Sequence, residues 1–433
     1  MKSRIDPAQL TWDSDGTPRS KHFDDTYFSG GEGLDGDLCD GLAESTHVIL
    51  NTNRLPQRFA ALDEHQSFVI AETGFGSGLN FLLTWRCFKE YAPKTAKLSY
   101  ISIEGYPLRP EDLHRCLVQW PELAELSAEL EAHYPVLVPG HHWHLFEGRI
   151  GLHLIFDQVE SGLQSLHPKI THHNFDQDLP RVDAWFLDGF APSKNPDMWQ
   201  DGIYPSIARL SKANTSLSTY TVAAAVRQNL QDWGFQAEKV LGYGKKLEMI
   251  RAEFDVNWQP TKDQIKAHAD KSAQIWHLPS VSGDKSSACD NRLGQVAILG
   301  GGVAGLTLAK SLAERGIRVK IFDKHPLPLS AASGNPQVAI FGRLSPDRGD
   351  LEDFVLQCLA YAADFYQPHW TKGNGNNTGL FQIPRNTNEL NKIERLVKLL
   401  PNNNGLIEHL QSEQSKAHTG LEISSNGLWF PKS

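Results

Sequence analysis

An α/β fold is predicted for this 433-residue chain, in two consecutive Rossmann-like parts. Three observations predict it. Short apolar runs alternate with helical segments from residue 67 to residue 254, several of them closed by a carboxylate. Two glycine-rich loops, "ETGFGSGLNF" (72–81) and "LGGGVAGL" (299–306), each stand between such a run and a helix. Between them the pattern fades over residues 257–292, where Pro, Ser, Lys and Asp mix without an apolar face. That stretch reads as a linker and divides the chain into 1–256, 257–292 and 293–433.

The elements follow in order. "SFVIAE" (67–72) is a strand ending in Glu72, followed by a glycine turn and the apolar helix "LNFLLTWRCFKEY" (79–91). "KLSYISIE" (97–104) is a second strand ending in Glu104, and "GLHLIFD" (151–157) a third ending in Asp157. "VDAWFLDGF" (182–190) and "SLSTYTV" (216–222) add two more. "VAAAVRQNLQDWG" reads as a helix stopped by Gly234, and "KKLEMIRAEF" (245–254) as a terminal strand. Strands separated by helices imply a parallel doubly wound sheet that binds ligands at the carboxyl ends of its strands. Beyond the linker, "QVAILGGGVAGLTLAKSLAERGIRVKIFDK" repeats strand, glycine turn, helix and strand.

Composition sets limits. With 40% hydrophobic and 21% charged residues the chain reads as an ordinary globular protein, long enough for two or three domains. No apolar run reaches the roughly 18–20 residues that span a bilayer, and the N-terminus lacks the apolar core of a signal peptide. Five scattered cysteines make a complete disulfide framework unexpected and point to the reducing cytosol. A net charge of −9 argues against a protein that coats nucleic acid non-specifically, while leaving room for a local basic patch.

The first loop places Gly74, Gly76 and Gly78 after a strand, where glycines let backbone approach a ligand. Glu104 and Asp157, at the ends of neighbouring strands, are candidate cofactor contacts, Glu104 as acceptor of two ribose hydroxyls. Glu72 would repel a pyrophosphate but can pair with a cation such as the amino acid end of S-adenosylmethionine. Asp188, at the carboxyl end of its own strand, then sits where a methyl acceptor would lie. A carboxylate there can orient an alkyl amine and accept its proton, freeing the lone pair for in-line transfer. Phe190 can stack on a base and Pro192 can stiffen the turn; Lys245 and Lys246 are candidate phosphate contacts.

In the second loop, Gly300, Gly302 and Gly305 fit G-x-G-x-x-G, and Asp323 follows near the spacing of a ribose-binding acid. A dinucleotide would rest its pyrophosphate on the helix N-terminus. The fingerprint by itself leaves FAD and NAD open.

Taken together these stretches resemble one family, the bifunctional tRNA 5-methylaminomethyl-2-thiouridine biosynthesis proteins, MnmC. The resemblance runs through "FDDTYFS", "LAESTHVILNTNRLPQRF", "AETGFGSGLNFLLTW", "ISIEGYPL", "DAWFLDGFAPSKNPDMW" and "GYGKKLEM". After the linker it continues in "AILGGGVAGLTLAKSLAERG" and "ASGNPQVAIFGRLSP". It implies two enzymes acting in turn on the wobble uridine of certain tRNAs. A C-terminal FAD-dependent domain, similar to glycine oxidase, removes the carboxymethyl group from a carboxymethylaminomethyl side chain. An N-terminal domain then methylates the resulting primary amine with S-adenosylmethionine. By motif position, Glu72, Gly74, Gly76, Gly78 and Glu104 would surround S-adenosylmethionine. Asp188 would handle the amine between Phe190 and Pro192, and Gly300, Gly302, Gly305 and Asp323 would hold FAD.

Departures from the family pattern include the extra stretch "GEGLDGDLCD", Leu247 in place of a basic residue, and Val338 and Phe341–Gly342 near the flavin. The flavin part is expected to be incomplete, lacking the later strands that close over the cofactor. "HHWH" (141–144) and "THHN" (171–174) are read as surface or loop histidines, and no metal site is expected. Two other readings compete: a small-molecule amine methyltransferase, in which Lys245 and Lys246 would be idle, and a non-catalytic tRNA-binding module built on cofactor folds.

Overall fold

A computed structural model describes residues 5–28, 41–167, 181–244, 247–268, 295–335, 338–344, 350–372, 375–398 and 405–433. Two compact units emerge: Met1–Phe146 with Ile150–Lys271 and Ile340–Ser433, and Glu147–Arg149 with Ser272–Ala339.

The first unit opens with a small antiparallel sheet of β1 (Leu10–Trp12), β2 (Pro18–Ser20) and β3 (Asp25–Thr26). The main sheet has eight strands: β4 (Ser67–Glu72), β5 (Lys97–Glu104), β6 (Gly140–Phe146), β7 (Ile150–Phe156), β8 (Val182–Phe186), β9 (Ser211–Thr219), β10 (Phe235–Leu241) and β11 (Glu248–Phe254). Their spatial order is β10-β11-β9-β8-β4-β5-β7-β6. β4, β5, β7, β8 and β9 are parallel, as the alternation of strands and helices predicts. The sheet is nonetheless mixed. β6 runs antiparallel to β7, and β11 is wedged antiparallel between β9 and β10. The six residues between β10 and β11 are too few for a parallel crossover, so the pair must be a hairpin.

Helices cover both faces. Side chains two apart on a strand share a face, and Phe68 and Ile70 of β4 join Leu98 and Tyr100 of β5 and Phe186 of β8 in one core. The Leu79–Tyr91 helix packs there through Leu79, Phe81, Leu82, Trp85 and Phe88. Ala71, Ile103, Ile155, Trp185 and Leu217 face the other way, against the Ile203–Leu210 helix.

The run "HHWH", read from sequence as surface or loop histidines, is not a loop but part of edge strand β6, where His141 is exposed and His142 and His144 are half-buried. His141 Nδ1 lies 2.9 Å from His153 Nε2 of β7, and the rings of His144 and His133 stack at 3.8 Å. The alternation of β6 was masked by histidines standing where apolar residues mark a strand. His172 and His173, and the stretch 31–40, lie outside the described residues.

The second unit carries the parallel pair β12 (Val296–Leu299) and β13 (Val319–Phe322) with the Val303–Glu314 helix between them. Back in the first unit, β14 (Leu380–Gln382), β15 (Glu408–Leu410) and β16 (Gly427–Phe430) form an antiparallel sheet in the order β14-β16-β15. Leu356, Leu359, Ala363 and Phe430 make a third core that takes in Val138, just before β6.

Candidate functional site

The sheet's alternation decides what gathers at its carboxyl end. Glu72 lies on the same face as Phe68 and Ile70, paired in register with Ser102 of β5 and Phe186 of β8. Continuing β4, β5 and β8 therefore brings Glu72, Ser102 and Asp188 toward the N-terminal turn of the Leu79–Tyr91 helix. Asn80 in that turn meets them. Its Nδ2 donates to Glu72 Oε1 at 2.8 Å and to Asp188 Oδ2 at 2.7 Å, while Ser102 Oγ donates to Glu72 Oε2 at 2.7 Å. Burial, with the nearby Asp188 charge second, pushes the Glu72 carboxyl up to about 8.

A cavity of about 320 Å³ opens over these ends, lined by Gly74, Gly76, Asn80, Glu104, Asp188 and Phe190 among others. That size is at the lower end of small-molecule sites. Gly76 and Gly78 have φ of +52° and +75°, conformations that favour glycine. At Gly74 a Cβ would fall 2.9 Å from the Asp188 carbonyl oxygen, so two backbones meet there with no room for a side chain. Glu104 accepts from the amides of Gly76 (2.9 Å) and Tyr106 (2.7 Å), which locks it onto the glycine loop. Burial raises its pKa against the opposing pull of those amides.

The turn bearing Asp188 is tied down on several sides. Asp188 Oδ1 accepts from the Gly189 amide at 2.9 Å, and its carbonyl accepts from Thr73 Oγ1 at 3.0 Å. Trp199 Nε1 donates to the Phe190 carbonyl at 3.0 Å. Phe190 packs against Phe23 (4.8 Å between ring centroids) and Tyr27 (5.1 Å). The segment around β3 thus closes one side of the cavity, contributing Phe23, Asp25 and Tyr27, and Glu44 adds another carboxylate.

The predicted residues divide accordingly. Gly74, Gly76, Glu104, Asp188 and Phe190 line one cavity. Glu72 stands behind the wall, 1% exposed, and reaches it through Asn80. Asp157 accepts from the Gln158 amide at 2.7 Å; it is Gln158 and Val159 that line the cavity. Pro192 is half-buried outside the lining. Lys245 and Lys246 lie outside the described residues. Asn80, Ser102, Asp25, Tyr27 and Tyr220 went unread. The signal available was Asn80 itself, the lone amide in the apolar turn "LNFLLTW".

The second glycine loop stands in its own unit. Gly300 has φ of +110°, Gly302 caps the Val303–Glu314 helix, and a Cβ at Gly305 would lie 1.9 Å from the Gly300 carbonyl oxygen. Those are positions a dinucleotide fingerprint needs: a tight turn, a glycine at the helix N-terminus and close helix–strand packing, with Ser333 Oγ taking the Val303 amide at 3.1 Å. Asp323 Oδ2 accepts from the Gly301 amide at 2.6 Å and Oδ1 from the His325 amide at 2.8 Å. The Gly301 bond leads in holding its pKa below the ordinary carboxylate value. These residues fit a flavin dinucleotide.

Residues 121–255 match the family described as S-adenosyl-L-methionine-dependent methyltransferase, and residues 295–433 match the one described as FAD dependent oxidoreductase. Whole-chain relatives join the two. The chain is 37% identical over 434 residues to the tRNA 5-methylaminomethyl-2-thiouridine biosynthesis bifunctional protein MnmC of Pseudomonas fluorescens, covering 100% of this chain and 60% of that one. This chain belongs to the MnmC family. The Chromobacterium violaceum MnmC is 38% identical, covering 98% and 59%, and the Pseudomonas entomophila MnmC 34%, covering 100% and 60%. The chain thus spans about 60% of the length of the MnmC proteins it matches. In MnmC terms the cavity belongs to the methyltransferase part: Asp188 lies within the first matched stretch, and the glycine loop and Glu104 precede it. Among the described residues no helix is long and apolar enough to cross a membrane.

Proposed function

We propose that this chain methylates the aminomethyl group of a tRNA wobble uridine, using S-adenosylmethionine in the cavity above β4, β5 and β8. The observation that carries the reading is that the Asp188 carboxylate lines the same cavity as Gly74, Gly76 and Glu104. A methyl donor on the glycine loop and an amine at Asp188 would share one space.

Bound S-adenosylmethionine supplies a methyl group on a positively charged sulfur. Gly74 lets the Asp188 turn close onto the loop and Gly76 turns the chain at positive φ, which shapes the loop that would carry it, and Glu104, held by two amides, keeps lone pairs for its ribose hydroxyls. Asp188 holds the amine by hydrogen bonding and accepts its N–H proton as the nitrogen–carbon bond forms and the carbon–sulfur bond breaks. The electron pair of the broken bond stays on sulfur. Asp25, Glu44, Glu104 and Asp188 line the cavity with carboxyl groups, which favours the positively charged sulfur of the methyl donor. Phe190, braced by Phe23 and Tyr27, offers an aromatic face to the base.

The functional division follows 1–256 for the methyltransferase, 257–292 for the linker and 293–433 for the FAD-dependent part. Bound FAD supplies two-electron oxidation for removal of the carboxymethyl group. Gly300, Gly302 and Gly305 would receive its pyrophosphate, and Asp323 its ribose. The tRNA itself is the macromolecular partner, with Lys245 and Lys246 as phosphate contacts, and the cytosol is the site of action.

The test uses tRNA bearing either carboxymethylaminomethyl or aminomethyl at the wobble uridine, incubated with S-adenosylmethionine and analysed by nucleoside mass spectrometry. Methylation of the aminomethyl tRNA is expected, and its loss in Asp188→Ala. Product from the carboxymethylaminomethyl tRNA as well would assign the oxidative step to residues 293–433. No product from either tRNA would overturn the proposal.

A further inference from the structure

Asn80 is the only side chain among the described contacts to hydrogen-bond both Glu72 and Asp188. It is 6% exposed, beside Leu79, Phe81 and Leu82, which are buried and apolar. We infer that Asn80 is a positioning residue for methyl transfer, acting through the Asp188 carboxylate. The inference rests on the methyltransferase reading above.

An amide nitrogen carries two N–H donors and no acceptor, and here each donor has its own carboxylate oxygen. A flipped amide would set Oδ1 against the Asp188 carboxylate oxygen, which only accepts, and this decides the orientation. Asp188 is thereby gripped at both oxygens, Oδ2 by Asn80 and Oδ1 by the Gly189 amide. The carboxylate cannot rotate without breaking one of these bonds. Glu72 is gripped likewise, by Asn80 and Ser102. Asn80 thus bridges the Glu72 carboxyl and the Asp188 carboxylate through separate N–H donors, which fixes the spacing of the two groups. Without that bridge Asp188 is free to turn away from the amine or to draw on the neighbouring carboxyl proton instead.

The experiment measures kcat and KM on aminomethyl tRNA across pH for Asn80→Leu, Asn80→Asp, Asp188→Ala and the Asn80→Leu/Asp188→Ala double variant. Asn80→Asp keeps the side chain's size should the leucine not fold. Both Asn80 variants are expected to lose kcat by roughly 10- to 100-fold, as misplacement of a reacting group does. The KM for S-adenosylmethionine should move by less than about threefold, and the acid limb of the kcat profile should shift to higher pH. Asn80→Leu should cost nothing further once Asp188 is alanine. Full kcat in both Asn80 variants, or independent multiplication of the two losses in the double variant, would overturn the inference while the methyltransferase reading stands. An Asp188→Ala variant as active as wild type would remove both.

Discussion

The Tyr220 hydroxyl donates to the Gly189 carbonyl oxygen at 2.6 Å, tying the end of β9 to the turn that carries Asp188. Gly189 sits at φ of +146°, so the turn's shape depends on what holds it. Tyr220→Phe keeps the ring and deletes this bond. The variant should lose about 1 kcal/mol of stability, the net worth of a hydrogen bond to this half-buried carbonyl. Its kcat should fall by roughly tenfold as the turn loosens. Denaturant titration and steady-state kinetics check both.

Gly74→Ala should cost more in binding than in folding. The added methyl would meet the Asp188 carbonyl oxygen at 2.9 Å, and backbone on both sides must shift to admit it. Because Thr73 and Gly74 join β4 to the loop against the Asp188 turn, the shift displaces donor and acceptor subsites together. Calorimetric affinity for S-adenosylmethionine is expected to drop by roughly 10-fold or more.

Glu72 makes stability fall as pH rises. Its carboxyl is pushed up to about 8 in the folded protein against an ordinary 4.5, so between these values the folded state holds a proton the unfolded chain has lost. Fewer protons bound in the unfolded state means a negative slope of stability with pH. Glu72→Gln cannot ionise and can still accept from Asn80 and donate to Ser102. It should flatten the slope between pH 4.5 and 8 and gain several kcal/mol over wild type at about pH 8. Equal thermal midpoints at both ends of that range would contradict this.

The β6–β7 histidines act in the opposite direction. Burial holds His142, His144 and His153 down at about 4, against an ordinary 6.5. The unfolded chain therefore takes up protons first as pH falls, and stability present above 6.5 is lost toward 4. His142 Nε2 bonds the Val138 carbonyl at 2.8 Å, which a glutamine could still do. His142→Gln should recover up to about 3 kcal/mol relative to wild type near pH 4. Comparing variant with wild type isolates this from the Glu72 slope, which overlaps it.

Much of the site was legible in the chain. β4 and β5 have their predicted bounds because Ser67–Glu72 is a short apolar run between polar ends, while Lys97–Glu104 alternates over most of its length between buried and half-buried positions. The glycines could be read because a tight loop at positive φ restricts residue type locally, and Glu104 because it closes a strand with a carboxylate. β10 could not be, since its exposed "FQAEKVL" has too little apolar alternation, and β1–β3 are too short to carry a period.

By itself, the sequence determined the local chemistry: which strands end in a carboxylate, which loops need glycine, and that two nucleotide folds occur in one chain. Tertiary structure decided which of those carboxylates meet. Glu72, Asn80, Ser102 and Asp188 converge because three parallel strands in register share one face and one helix N-terminus covers it. Tyr27 and Phe23 reach the same cavity from far along the chain. No local pattern encodes such meetings, because they depend on strand order and register, which many side chains across both faces of the sheet set jointly.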